Sequence, residues 1–474
     1  MPQPSMPSLL DQTLRAVARR YRLPAIPAAG AAQSDPATAL ALAIEQARKD
    51  VAGGVMPDAA SRRFFVEALA RLIHDAMRAE RGDPVFQAMV LRHRVPRVRE
   101  HASLCAHADQ DRREVRAAIN AIAHPGKQQR MPPGPQSEAL AQLHAAADTA
   151  SWPALSDSAR RIAAMPELSA ESPLRRGLAR LLDGPALARL MRLHDLASDE
   201  LVQQYQSLWD RQGPQSGSPE AAEQSSAARQ RGAAVEALTA QALEALARAL
   251  GEETGHAYRV VTSMRVPAAI PGSADRAKTE WDAVLLRQAF IADAAPVWDV
   301  CLLAEAKASA VAAATDLPRL LRGMRLLAQA DEQVVYPFAC EQGTVRLNGA
   351  SLKALRTDEA SLAATVLYCC DAPADAAPRL LAAPCRMQLL SAQASLEFAS
   401  RLADGQAADA RDLEPVWLQL LESPRWAAVL EQYQALRLGR KLMVHTEDLL
   451  AAVDVSQRGR PCPSPADAAR CARE

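Results

Sequence analysis

The sequence predicts a mixed architecture: an all-α N-terminal region, then an α/β core, then C-terminal helices. Three observations predict it. Leucine, valine and isoleucine recur at three- and four-residue spacing through the first 210 or so residues. Beyond residue 250 the pattern turns to short β-like runs separated by helical stretches, and from Ala392 to about Val453 the helical spacing returns. Aromatic residues make up only 4 % of the 474, which argues against a large all-β protein.

The N-terminal helices are carried by SLLDQTLRAVARRY, ATALALAIEQARKDV, ASRRFFVEALARLIHDAM and PLRRGLARLLDGPALARLMRLHDLA, with Ser8, Asp35 and Asp58 standing where N-caps belong. Residues 213–227 (GPQSGSPEAAEQSSA) read as a linker from their Gly, Ser, Pro and Gln content, and residues 124–138 (HPGKQQRMPPGPQSE) as a second one inside the helical half. A strong helix follows from Gly232, ended by Gly251. Strands are then expected at 258–266, 279–287, 297–307, 334–340 and 364–370, with a helix at about 316–330. The expected organisation is a helical region over 1–212, a linker over 213–230, the α/β core over 231–391, C-terminal helices over 392–455 and a disordered tail over 456–474.

Formal charge is balanced, 55 basic against 55 acidic side chains, which excludes both a globally basic nucleic-acid coat and an acidic solvating chain. Eight cysteines without Cys-x-x-Cys spacing read as reduced thiols packed as small hydrophobes. No leader-like apolar segment follows the first basic residues, and no run is long enough for a membrane span, so a cytoplasmic protein without a membrane partner is expected. Phosphate-loop, serine-elbow and dinucleotide glycine motifs are absent, so nothing points to an ATPase, a serine hydrolase or a dinucleotide enzyme. His101, Cys105 and His107, with His93 and His124 nearby, lack standard zinc spacing and read as an ordinary helix surface. The first 130 residues hold 20 basic and 13 acidic groups, which read first as a solvated helical face and also fit phosphate contact; Arg319, Arg322 and Arg325 recur on one helix, where they could touch a phosphate backbone or simply face solvent.

The chemistry is concentrated on two neighbouring strands. Period-two alternation puts Glu280, Asp282, Val284 and Leu286 on one face of TEWDAVLLR, and Asp299, Cys301, Leu303, Glu305 and Lys307 on one face of VWDVCLLAEAK. Ionised groups on an otherwise apolar face cost several kcal/mol unless paired or metal-bound. Glu280 and Asp299 read as solvated or supporting groups rather than ligands. Lysine is scarce here, six against 49 arginines, so Lys307 is an informative choice of a compact ammonium over a planar fork.

A helical glutamate, a strand aspartate and a strand ending in Glu-x-Lys resemble the PD-(D/E)XK phosphodiesterase superfamily, which has the restriction-endonuclease-like fold. The resemblance covers about residues 232–390, with Trp281 where the family often has proline. It implies that Glu236, Asp282, Glu305 and Lys307 are catalytic residues of a nuclease. It also implies that Asp282, Glu305 and the Ala306 carbonyl hold Mg²⁺ or Mn²⁺, and that nucleic acid, DNA before RNA, is the substrate. Hard cations of this kind need only one or two carboxylates and keep several waters. The helical half would then bind substrate or a protein partner. The alternative from another class is a catalytically inactive nuclease-like scaffold that serves as an interaction module, in which Glu305 and Lys307 form a structural ion pair.

Overall fold

The computed structural model describes residues 8–23, 35–166, 168–169, 171–214, 217–375 and 378–458. The chain divides into two units that interleave in sequence. The sheet unit takes its residues from 1–68, 216–386 and 417–474, the helical unit from 69–215 and 387–416. This division departs from the expected boundary near residue 212, because the first helix belongs with the sheet. The tail beyond residue 458 lies outside the described residues.

In the sheet unit, helix α1 (Ser8–Ala16) is followed much later in sequence by helix α2 (Pro219–Thr254). Most of the expected linker is therefore helix. Gly, Ser and Pro gather at 213–218, but from Pro219 onward Ala, Glu and Gln dominate, and these are strong helix formers. Ser218 caps the helix by accepting from the Ala221 amide (3.1 Å), Pro219 occupies the first turn, and Gly255 ends it in the left-handed conformation (φ 70°). The first buried residue of α2 is Val235; Thr239, Leu243, Leu246 and Leu250 continue the stripe.

Strands β1 (Tyr258–Arg265), β2 (Glu280–Ala292) and β3 (Ala295–Ala306) form an antiparallel meander. The β2–β3 turn uses Asp293 and Ala294 with positive φ (49° and 59°), the twist that a two-residue hairpin requires. Helix α3 (Ala310–Leu327) leads on to β4 (Val335–Cys340) and β5 (Gly343–Asn348), a hairpin that pairs with both β1 and β3. Strands β1, β2, β3, β5 and β4 thus pair in a closed cycle. Strand β6 (Val366–Cys370) then lies parallel to β3, and β7 (Met443–His445) parallel to β6. Every residue of β6 is buried, as a parallel strand covered on both faces should be. Helix α4 (Thr446–Arg458) closes the unit.

Two apolar layers flank the sheet. On one face, Leu243, Leu246 and Leu250 of α2, Leu9, Leu10 and Leu14 of α1 and Leu449 and Val453 of α4 pack on Ala283, Leu285, Leu302, Ala304, Leu367 and Cys369. On the other, Leu317, Leu320 and Met324 of α3 pack with Val284, Leu286, Leu303, Val366 and Tyr368. The alternation between layers is broken where the sheet bulges. Leu285 faces Leu302 but Leu286 faces Val300, leaving Cys301 as the extra residue.

The helical unit is built on the long helix Pro96–Ala123, and proline opens most of its helices. The segment 124–138 contains the short helix Pro125–Gln128 before the helix Pro135–Asp148 begins. Its core is formed by Leu140, Leu143, Leu155, Ile162, Leu178 and Leu187, among others. Asp111 is buried there and paired to both Nε and Nη2 of Arg189 (2.9 and 2.5 Å). No helix of the described residues is long and apolar enough to cross a membrane.

One ion-pair cluster makes the fold pH-sensitive. Glu359, in the first turn of the helix Glu359–Thr365, accepts from Arg437 Nη2 (2.7 Å) and Lys441 Nζ (2.6 Å) of the helix Gln432–Lys441. Those bonds hold its carboxyl down at about 2, from an ordinary value near 4.5. A depressed carboxyl stabilises the fold above its unfolded value and loses that contribution as it protonates. Wild type should therefore exceed Glu359→Gln in urea midpoint at neutral pH, with the gap closing as pH falls from about 4.5 toward 2. A gap independent of pH would mean that the pairs contribute through packing alone.

Candidate functional site

The site lies where β2 and β3 approach the start of α3. Asp282 sits at an irregularity of the β1–β2 ladder: Thr262 pairs with Ala283 and Met264 with Trp281, but Ser263 and Asp282 are skipped. Ser263 is in the left-handed region (φ 49°), an uncommon conformation for a residue with a Cβ, and its hydroxyl donates to Glu341 Oε1 (3.2 Å). Because of this irregularity, Trp281 and Val284 both pack in the α3-side core, and the strict alternation expected for the strand fails around Asp282. The Asp282 carboxylate is fixed by the Ala306 amide, which donates to its Oδ2 (2.9 Å). A main-chain contact from β3 thereby aims a side chain of β2.

Glu305 is fully buried, and its two oxygens differ sharply. Oε2 accepts from Lys307 Nζ (3.0 Å) and is also paired with Lys278 Nζ; Oε1 is buried with no hydrogen-bond partner. Burial first, and the Asp282 charge second, push the Glu305 carboxyl up to about 7 despite the two lysines. Lys307 closes the group. Burial works against its charge, but Glu305, Asp316 and Asp282 outweigh that and raise its pKa. Its Nζ lies 3.5 Å from Asp316 Oδ2 and 3.9 Å from Asp282 Oδ2, and 5.8 Å from the Tyr368 ring centre. The Tyr368 hydroxyl in turn donates to Asp316 Oδ2 (3.3 Å), and the Lys307 amide donates to the Cys369 carbonyl (2.8 Å).

The structure thus brings Asp282, Glu305 and Lys307 together. Glu236 is on the exposed side of α2, without an ion pair or hydrogen bond among the described residues. Partial burial, then the Asp282 and Glu341 carboxylates, raise its pKa, so its carboxyl feels the cluster from α2. One expected shared face fails. Asp299 does not share a face with Glu305, because the extra residue at Cys301 shifts the alternation by one. Asp299 instead accepts from Arg287 Nη2 (3.3 Å) and Asn348 Nδ2 (2.9 Å). Glu280 pairs with its cross-strand neighbour Arg265 (3.5 Å) and has no ion pair with the group among the described residues.

Three members were missed from sequence: Lys278, Asp316 and Tyr368. Lys278 Nζ pairs with Glu305 and lies 3.5 Å from Asp282 Oδ1, with only 6 % of its side chain exposed. It precedes β2 in a segment with no periodicity, and the scarcity of lysine was the one signal that could have found it. Its backbone is clamped by α3: its amide donates to the Arg319 carbonyl (3.1 Å), and Arg322 Nε donates to the Arg276 carbonyl (2.8 Å).

The chemistry of the donor set suits a hard cation in one respect: two carboxylates of adjacent strands converge, and one oxygen of Glu305 has no other partner. Among the described residues, however, no three His, Cys, Asp or Glu side chains are arranged to hold a metal, so main-chain and water oxygens would complete the shell. His101 and Cys105 lie side by side (Sγ to Nε2 3.6 Å) and do not assemble a zinc set. No family model, curated protein or solved structure matches this chain.

Gly323 of α3 packs directly on Lys278. A Cβ there would lie 2.6 Å from the Lys278 carbonyl oxygen and 2.8 Å from its Cβ. Glycine inside a helix ordinarily costs roughly 0.5–1 kcal/mol relative to alanine. Overpacking against backbone costs about 1–3 kcal/mol, which outweighs that gain. Gly323→Ala should accordingly lower stability by about 1–2 kcal/mol in urea unfolding. A stabilised variant would show that the clamp on Lys278 is loose.

Proposed function

We propose that this protein is a metal-dependent phosphodiester hydrolase acting on nucleic acid, with Asp282, Glu305 and Lys307 as its centre. The observation that carries the reading is the convergence of these three side chains from two adjacent strands. It is supported by the order of elements around them: a helix, a three-stranded meander, a second helix and, after the inserted β4–β5 hairpin and two short helices, a strand parallel to the third. This order fits the restriction-endonuclease-like reading of residues 232–390.

In this reading Asp282 and Glu305 hold Mg²⁺ or Mn²⁺, with the Ala306 carbonyl as a third protein oxygen. The bound cation supplies a water of lowered pKa and neutralises charge on the phosphate. The Ala306 amide keeps Asp282 aimed, and Asp316 with Tyr368 keeps the Lys307 ammonium in place. Lys307 then orients the attacking water and stabilises charge building on the phosphoryl oxygens. Glu236, exposed on α2 but close enough to feel the Asp282 charge, would hold a water. Arg319, Arg322 and Arg325 lie on the exposed side of α3, and a cavity of about 340 Å³ offers further positive charge in the same unit through Arg19 and Arg22, its Arg15 and Lys441 being paired with Asp11 and Glu359. Both suit a phosphate backbone.

A second reading is favoured by one observation. The Lys278 ammonium already bridges Asp282 and Glu305, so the cluster can be read as a salt-bridged scaffold with no catalysis. A Mn²⁺ titration by calorimetry separates the two. The hydrolase binds Mn²⁺, and Asp282→Asn or Glu305→Gln abolishes both binding and Mn²⁺-supported cleavage. Lys307→Met keeps the metal but loses cleavage by about 10²–10³-fold. Lys307→Arg does not restore it, since a planar fork cannot replace a compact ammonium. Absence of Mn²⁺ binding to the wild-type protein selects the scaffold.

A further inference from the structure

We infer that Lys278 is a tethered counter-cation: it holds the Asp282 and Glu305 carboxylates together, and a divalent cation reaches them only as this ammonium leaves. The inference rests on the metal-binding reading above and identifies the residue that sets how tightly the metal is held.

Three observations carry it. The first is position. Lys278 Nζ touches Glu305 Oε2 and stands 3.5 Å from Asp282 Oδ1, so one ammonium spans a carboxylate from each strand, where a shared cation would sit. The second is the asymmetry between the two lysines. Lys307 has anchors of its own, the Asp316 carboxylate and the Tyr368 ring, and remains held when Asp282 and Glu305 turn to another cation. Among the described residues, Asp282 and Glu305 are the only acidic partners of the Lys278 ammonium.

The third is charge. Asp282, Glu305 and Asp316 are the carboxyls in ion-pair contact with the Lys278 and Lys307 ammonium groups. A divalent cation held by Asp282 and Glu305 would stand against the same carboxylates as the Lys278 ammonium, and two cations that close repel strongly where solvent cannot screen them. The two cations are therefore alternatives.

The tether makes the exchange reversible. The Lys278 backbone is fixed by the Arg319 carbonyl and by the close approach of Gly323, so the flexible four-carbon stem is the part that moves. Before metal binds, the ammonium screens two carboxylates that would otherwise repel each other across neighbouring strands. Lys278 thus acts through the ligands of the metal, as a positioning residue.

The test uses the full chain and Lys278→Met, which keeps the stem and removes the charge. Calorimetric titration with Mn²⁺ should give a dissociation constant at least about 10-fold lower than wild type, with a lower metal-free melting temperature that Mn²⁺ restores. Equal or weaker Mn²⁺ binding by Lys278→Met overturns the inference and leaves the metal reading standing. No Mn²⁺ binding by either protein overturns both. A wild-type experiment covers the case in which the variant fails to fold: lysine acylation read by mass spectrometry, with and without Mg²⁺. With only six lysines in the chain each adduct is resolved, and Lys278 labelling should rise several-fold with Mg²⁺ while Lys307 labelling does not. Lys278 labelling that is unchanged at a Mg²⁺ concentration saturating by calorimetry overturns the inference.

Discussion

A carboxylate with no access to solvent has to be answered by charge, and the site is organised around that demand at Glu305. Its strand buries it between β2 and β6 under α3, where an uncompensated ion would cost several kcal/mol. Two lysines meet the demand from different directions. Lys307 arrives on the same strand, with Asp316 and Tyr368 behind it; Lys278 arrives from the segment before β2, clamped by α3. Both Gly323 and the Arg319 carbonyl serve that clamp, so residues of α3 that point at no reacting group still decide where a charge stands.

Much of this was legible in the sequence, for a definable reason. The positions of Asp282, Glu305 and Lys307 depend on local strand structure, and the acidic residues stand out against Val284, Leu286 and Leu303 in an apolar setting. Asp299 was misplaced because one extra residue at Cys301 inverts the phase, and period-two reasoning has no means of detecting an insertion that the partner strand defines. Lys278 and Asp316 join the group through tertiary packing alone. The linker was misjudged because glycine and proline at 213–218 coloured the reading of helix-forming residues immediately beyond them. Strand β7 is three residues long and offers no pattern to read.

Backbone irregularities gather on the strands that carry the charged cluster. The left-handed Ser263, the skipped Asp282 and the bulge at Cys301 all fall on the three-stranded meander, and each changes which way an acidic group faces. Ideal alternation would have left Asp282 in register with its neighbours. Instead its carboxylate meets the Ala306 amide, a contact between strands that are paired elsewhere by their main chains. Irregularity of this kind costs stability locally and is tolerated where the surrounding packing over-determines it.

The way α1 and α4 cover one face of the sheet has a consequence for how the chain is made. Leu9, Leu10 and Leu14 pack in one layer with Leu449 and Val453, and Arg20 pairs with Asp448 across 428 positions. During translation, β1 through β3 leave the ribosome with α2 already at hand, but residues 446–458 follow some 188 positions after Tyr258 (446 minus 258). At about 5–20 residues per second, that face stays incompletely covered for about 10–40 s. Over that interval Leu285 and Leu302, joined later by Leu367, form an apolar surface open to other chains, so this face is most vulnerable to aggregation just before α4 appears.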